Sequence, residues 1–172
     1  MIPLQVRLNG AIGIKAGLGL DALEIDLRSI PDNAVTVAIR GDNGSGKSTL
    51  MNLGFVPWRE PPHLVGSVYE HFDRRGTREL VWSHDSVEYR TLIEYRDRTQ
   101  RAFLHVNDGY SWQPVTMPDN TASDGKTSTY DACLASILGP RDLYYLSAFR
   151  SQGAPLIGDR DPKRLMRSLL GL

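Results

Sequence analysis

The sequence predicts an α/β fold with a mixed sheet and an antiparallel β meander beside it. Three observations predict it. Period-two alternation marks two strands near the start, an uninterrupted apolar run leads into a glycine-rich loop and a helix, and a series of alternating segments follows from Glu79. At 172 residues and 41% hydrophobic, the chain can bury one sizeable core, so a single lobe is expected.

Leu4, Val6 and Leu8 alternate with Gln5 and Arg7, and Leu23, Ile25 and Leu27 repeat the pattern against Glu24 and Asp26. Between them GAIGIKAGLGL, residues 10–20, carries four glycines and reads as a loop or bulged ribbon. IPDN then turns the chain into AVTVAI, residues 34–39, which suits a strand covered on both faces. The loop follows at once, and Ser48 to Leu53 opens a helix that Gly54, Pro57, Pro61 and Pro62 end.

From Glu79 the pattern is β again: Leu80 and Trp82, then Val87, Tyr89, Thr91, Ile93 and Tyr95 on one face, then Phe103 and His105. Asn107-Asp108-Gly109 supplies a hairpin turn into YSWQPV. Residues 116–129 are rich in turn formers and read as a mobile loop. YDACLASIL has helical spacing, with Ala132, Ala135, Ser136 and Gly139 keeping it slim, and Leu143 to Phe149 reads as a short strand. Asp161-Pro162 opens a terminal helix with the apolar stripe Leu165, Met166, Leu169 and Leu170.

Composition narrows the function classes. Twenty basic residues balance twenty acidic ones, so no global field draws in nucleic acid and any such contact needs a local patch. A single cysteine, Cys133, excludes an internal disulfide framework and fits a reducing cytoplasm. Charged residues interrupt every apolar run, so neither a secretory signal nor a membrane span is expected. His63, His71, His84 and His105 lack the paired spacing of a metal site. Arg74, Arg75 and Arg78, with Arg96, Arg98 and Arg101, alternate with Asp73, Glu79, Glu94 and Asp97 and read as a mutually paired set.

The chemistry-bearing stretch is IRGDNGSGKSTLM, residues 39–51. Gly41, Gly46, Lys47 and Ser48 satisfy G-x-x-x-x-G-K-[ST], a backbone cradle for phosphate at a helix N-terminus. Asp42, Asn43, Gly44 and Ser45 form its turn. Lys47 is expected to reach the β and γ phosphates of ATP, Ser48 to offer its hydroxyl to Mg²⁺, and Thr49 to bond the α-phosphate. No apolar strand ending in Asp-Glu follows the loop to hold Mg²⁺ and polarise water. An N-K-x-D guanine reader is also missing.

Near the end stands LYYLSAFRSQGAPLIGDRDPKRLMRSLLGL, residues 143–172. A strand delivering F-x-x-Q-G into a loop, followed by an Asp-Pro helix and L-L-G-L, resembles the N-terminal ATPase lobe of the SbcC family within the SMC superfamily. The front end, LQVRLNGAIGI, LEIDL and AVTVAIRGDNGSGKST, is similar to that lobe's strands and P-loop. The resemblance covers most of the chain and is weakest from about Val56 to Thr129. It implies that residues 1–172 are an ABC-ATPase-type P-loop lobe in which Gln152 is a second catalytic residue, touching Mg²⁺ or its water.

The resemblance further implies DNA double-strand break repair or end processing, with ATP joining two heads and controlling a nuclease of the SbcD kind. The coiled coil would begin where this sequence stops, at Leu172, and the signature motif and the Mg²⁺-binding acidic strand would come from a C-terminal lobe of the same or a second protein. Without that lobe, no turnover is expected. Arg160, Lys163, Arg164 and Arg167 would offer a basic stripe to DNA, although a solvated face is the plainer reading. Two alternatives are a nucleotide-binding subunit of a transporter and a module that binds ATP without hydrolysing it. The long separation between Lys47 and Gln152 favours the SMC branch over the transporters.

Overall fold

The structure is a computed structural model and describes residues 1–31, 34, 36–61 and 64–147. Its centre is a six-stranded antiparallel sheet in the order β2-β1-β3-β4-β5-β6. The strands are β1 (Ile2–Ala11), β2 (Ala22–Asp26), β3 (Phe72–His84), β4 (Val87–Arg96), β5 (Thr99–Asn107) and β6 (Trp112–Pro114). The protein is thus mixed α/β, with few helices among the described residues.

Alternation decides which face is dry. Val6, Leu8, Leu80, Trp82, Ile93, Tyr95, Ala102 and Leu104 are buried on one face. The opposite face carries a ladder of ion pairs, Glu24 to Arg7 at 3.0 Å, Arg7 to Glu79 at 4.0 Å and Glu79 to Arg90 at 2.8 Å. Asp85 and Ser86, with φ of 49° and 65°, make the tight β3–β4 turn, which matches the right-handed twist of the strands. Phe103 and His105 stand opposite Leu92 and Arg90, on the charged face.

Helix α1 (Ile12–Leu18) joins β1 to β2, where a loop or ribbon is expected from the glycines. Gly19, at φ 70°, ends it in the left-handed region, and its amide bonds the Lys15 carbonyl. A helical turn α2 (Lys47–Thr49) continues as a π-helical turn, Leu50–Gly54, that presses on β1. Helix α3 (Thr127–Leu138) covers the dry face with Tyr130, Cys133 and Leu134.

Three further expectations are corrected. Residues 34–39 are not a strand of the sheet: the described ones are irregular and exposed, with Val37 at 54% and Ile39 at 37% of full exposure. A strand buried on both faces needs neighbours on both sides, and among the described residues none of β1–β6 pairs with this segment. The sheet is therefore antiparallel rather than mixed.

The stretch 116–129 is a pinned loop, with Met117 N donating to Thr121 O, Ser123 N to Val115 O and Ala102 N to Gly125 O. Asp124 anchors its end by accepting from Thr129 Oγ1 at 2.7 Å and pairing with Lys126 at 2.8 Å, which holds its carboxyl well below the usual range. Residues 141–147 form α4 (Arg141–Ser147) rather than a strand. The Pro140 carbonyl accepts from the amides of Leu143 and Tyr144 and starts a helical turn. Phe149, Gln152 and the expected terminal helix lie outside the described residues. No helix among the described residues is long and apolar enough to cross a membrane.

Candidate functional site

The glycine loop occupies residues 41–48 between the exposed segment 36–40 and α2. Its curvature comes from Gly44 and Gly46, at φ 83° and 82°, a region that side chains with a Cβ rarely occupy. Ser45 N donates to Asp42 O at 3.2 Å and closes the turn. The loop is tight enough that a Cβ on Gly41 would lie 2.8 Å from Ser45 Oγ.

Lys47 reaches back into this turn. Its ammonium donates to the carbonyls of Gly41 at 2.7 Å and Asp42 at 2.6 Å. A primary ammonium has three donors, and two of them are held by backbone carbonyls of the turn. Gly46 caps α2 without a side-chain acceptor, so the amides of Lys47, Ser48 and Thr49 are the unsatisfied donors of a helix start. Helix-start amides, one cation and the positive end of a helical turn form a donor set that suits a polyanionic phosphate. The exposed Ser48 is available as an oxygen ligand. The residues present thus fit a phosphate group, and the Ser48 hydroxyl is the oxygen that would meet an accompanying cation. No group of three or more His, Cys, Asp or Glu positioned for a metal occurs among the described residues.

Two structural supports were not legible as site elements in the sequence. Helix α1 lies against the loop through Gly13, Ile14 and Gly17, with Ile14 buried. Its signal is the one-sided spacing i, i+1, i+4, obscured by the glycine content that argues for a loop. The second support is Arg78, which is 2% exposed on the dry face of β3. Its guanidinium donates to the carbonyls of Leu53 at 3.2 Å and Val56 at 3.4 Å, and to that of Trp58. It therefore ties down the chain leaving the loop helix instead of pairing with an acid.

The same correction applies to the rest of that arginine set. No ion pair joins Arg74, Arg75, Arg96, Arg98 or Arg101 to another described residue, and Arg101 lies 4.9 Å from the Phe103 ring centre. Lys15 points away from the loop and pairs with Asp21 at 2.8 Å and Asp73 at 3.7 Å. Gln152, Arg160, Lys163, Arg164 and Arg167 fall outside the described residues, so Gln152 cannot be placed against Ser48.

A cleft of about 280 Å³ lies away from the loop, lined by Trp58, Arg59, Asp131 and Arg141 among others. Arg59 and Asp131 satisfy each other across it in a fork, Nε to Oδ1 at 2.9 Å and an NH2 nitrogen to Oδ2 at 2.6 Å. Trp58 and Cys133 are buried, and burial pushes the Cys133 thiol up, away from nucleophilic use. Compared with known proteins, the chain matches no family model and no curated sequence.

Proposed function

We propose that this chain is the ATP-binding half of an SbcC-like ATPase of the SMC family, working in the cytoplasm on DNA ends and double-strand breaks. The observation that carries the reading is the loop 41–48, which brings together two left-handed glycines, three helix-start amides without a partner among the described residues, and a Lys47 ammonium folded back onto the turn.

Asp42, Asn43, Gly44, Ser45 and Gly46 line the turn that wraps the β-phosphate. Lys47 exchanges its two carbonyl partners for β and γ oxygens, which keeps its charge compensated throughout. Ser48 would offer its hydroxyl to Mg²⁺, to which the same reading also assigns Gln152, and Thr49 would bond the α-phosphate. Mg²⁺, when bound, would supply positive charge against the phosphates.

Two features support a second polypeptide segment as partner. The sequence lacks an apolar strand ending in Asp-Glu. The run before the loop is apolar yet exposed, and Met51, on the turn that follows the loop, is 41% exposed. Exposed strand-formers next to a catalytic loop suit a C-terminal lobe that supplies sheet neighbours, signature motif and acidic residues. ATP then joins two heads, and closure passes through Gln152 to a coiled coil, DNA and an SbcD-like nuclease.

Lys47→Ala tests the reading directly. The chain is expected to bind MgATP in titration calorimetry with negligible turnover, Lys47→Ala to lose about tenfold or more in affinity, and an added C-terminal lobe to restore hydrolysis to the unaltered chain alone. Robust turnover by the isolated chain, or unaltered binding by Lys47→Ala, refutes it. Binding that no complementary lobe converts into hydrolysis indicates a nucleotide-gated module instead.

A further inference from the structure

The face of α1 that meets the loop has almost no side chains on it. Gly13 and Gly17 are one helical turn apart and stand one above the other. A Cβ on Gly17 would lie 2.3 Å from the carbonyl oxygen of Gly44, 2.6 Å from the carbonyl carbon of Ser45 and 2.8 Å from the amide nitrogen of Gly46. All three are backbone atoms of the turn itself, so no rotamer change relieves the clash. A Cβ on Gly13 would lie 2.1 Å from Thr49 Oγ1 and 3.1 Å from Thr49 Cβ.

Neither glycine has a positive φ, and a helix disfavours glycine relative to alanine. Local conformation therefore gives no reason for a glycine at either position, whereas the approach of the loop does. Between them the buried Ile14 fills the corner, its Cδ1 2.9 Å from where a Cβ on Gly46 would stand. On the far side of the helix, Lys15 ties α1 to Asp21 ahead of β2 and to Asp73 on β3. The wall is thus fixed to the sheet and smooth toward the loop.

We propose that Gly17, seconded by Gly13, is a positioning residue of the phosphate cradle: the bare face of α1 is the wall that sets the curvature of Gly44–Gly46. The proposal rests on the nucleotide reading of the loop. It assigns the geometry of the amides to a helix outside the motif. A methyl group at position 17 pushes the backbone of the turn outward and spreads donors that must converge on one phosphate. At position 13 the Thr49 side chain can rotate, so the effect is smaller.

The test titrates MgATP into the full chain and into Gly17→Ala, Gly13→Ala, Ala16→Ser and Lys47→Ala, with melting curves recorded without nucleotide. Gly17→Ala is expected to weaken MgATP by about tenfold or more while its unliganded melting temperature stays within about 2 °C of the parent. Ala16→Ser, exposed on the same helix, is expected to bind as the parent does. Parental affinity in Gly17→Ala overturns the wall. So does an affinity loss that only follows a lowered unliganded melting temperature, because that is a folding defect. If Gly17→Ala does not fold, Gly13→Ala decides: weakened binding with an unchanged melt supports the wall, and parental binding overturns it. A parent chain that binds no MgATP overturns the nucleotide reading itself, whereas loss in Lys47→Ala with parental affinity in Gly17→Ala overturns the wall alone.

Discussion

Replacing Arg78 by Met keeps the length of the side chain on β3 and removes every donor. Leu8 and Ile93 flank Arg78 in the sheet, so the new side chain enters an apolar setting that accepts it. The loss is at the other end, where the carbonyls of Leu53, Val56 and Trp58 are left facing a thioether. Hydrogen bonds from a charged donor contribute about 1.5–3 kcal/mol each, and the 3.4 Å bond to Val56 counts for little, so two bonds set the gross loss at about 3–6 kcal/mol. Against this, burial of a cation with no carboxylate partner and an unpaired Nε is relieved, which returns about 1–2 kcal/mol. The net is a destabilisation of about 2–4 kcal/mol, or a melting temperature lower by roughly 5–12 °C for a chain of this size. Urea unfolding followed by circular dichroism measures it, with Arg78→Lys as the variant that keeps charge but cannot span three acceptors. A Met variant within about 0.5 kcal/mol of the parent refutes the claim that this guanidinium secures the exit of the loop helix.

Tyr130→Phe removes a hydroxyl that donates to the Pro57 carbonyl and lies 3.2 Å from Thr91 Oγ1, and is expected to cost about 1–2 kcal/mol in urea unfolding. His105 has its pKa lowered by burial and by the Arg90 charge, with Glu79 opposing. Its neutral form is the stabilising one, so stability is full above the unfolded value of 6.5 and falls as pH drops below it. In His105→Gln that slope is expected to flatten in melts taken across this range. Amides of residues 36–40 have no hydrogen-bond partner among the described residues, so hydrogen exchange is expected to be nearly unprotected there in the chain alone and protected once a C-terminal lobe is added. Strong protection without the lobe counts against an unpaired strand.

Much of the sheet was legible because its signals are local. Leu4, Val6 and Leu8 alternate with polar neighbours, and so do Tyr89, Thr91, Ile93 and Tyr95; period two states the face directly, and the register follows from tight turns such as Asp85-Ser86. The glycine loop was legible for the same reason, since its curvature and its lysine lie within eight residues. What escaped depends on distant partners. Arg78 looks like one arginine among several until Leu53 and Trp58 are brought beneath it. The glycines of α1 look like loop-formers until the loop backbone is placed against them. Leu143 to Phe149 looks like a strand by composition, but over its described part, to Ser147, Pro140 and the buried Tyr144 favour a helical turn.

Residues 34–39 differ from these misses, because there the sequence pattern and the structure disagree in an informative way. A run of Val, Thr and Ile has the composition of a strand buried on both faces, and leaving Val37 half exposed forgoes the roughly 1.5–3 kcal/mol that burying such a side chain contributes. Strand formation is a property of pairs, however, and among the described residues the edge strands of this sheet, β2 and β6, pair with β1 and β5 alone. An unpaired apolar segment is also an aggregation hazard, which makes it costly to keep without a partner. The glycine loop begins at the end of this segment, so whatever orders residues 36–40 also fixes one end of the phosphate cradle, while α1 and Arg78 fix its flank and its exit. On the proposed reading, pairing with a C-terminal lobe and shaping of the nucleotide site are therefore a single event: a strand that docks beside residues 36–40 removes exposed apolar surface and stiffens Gly41 in the same step.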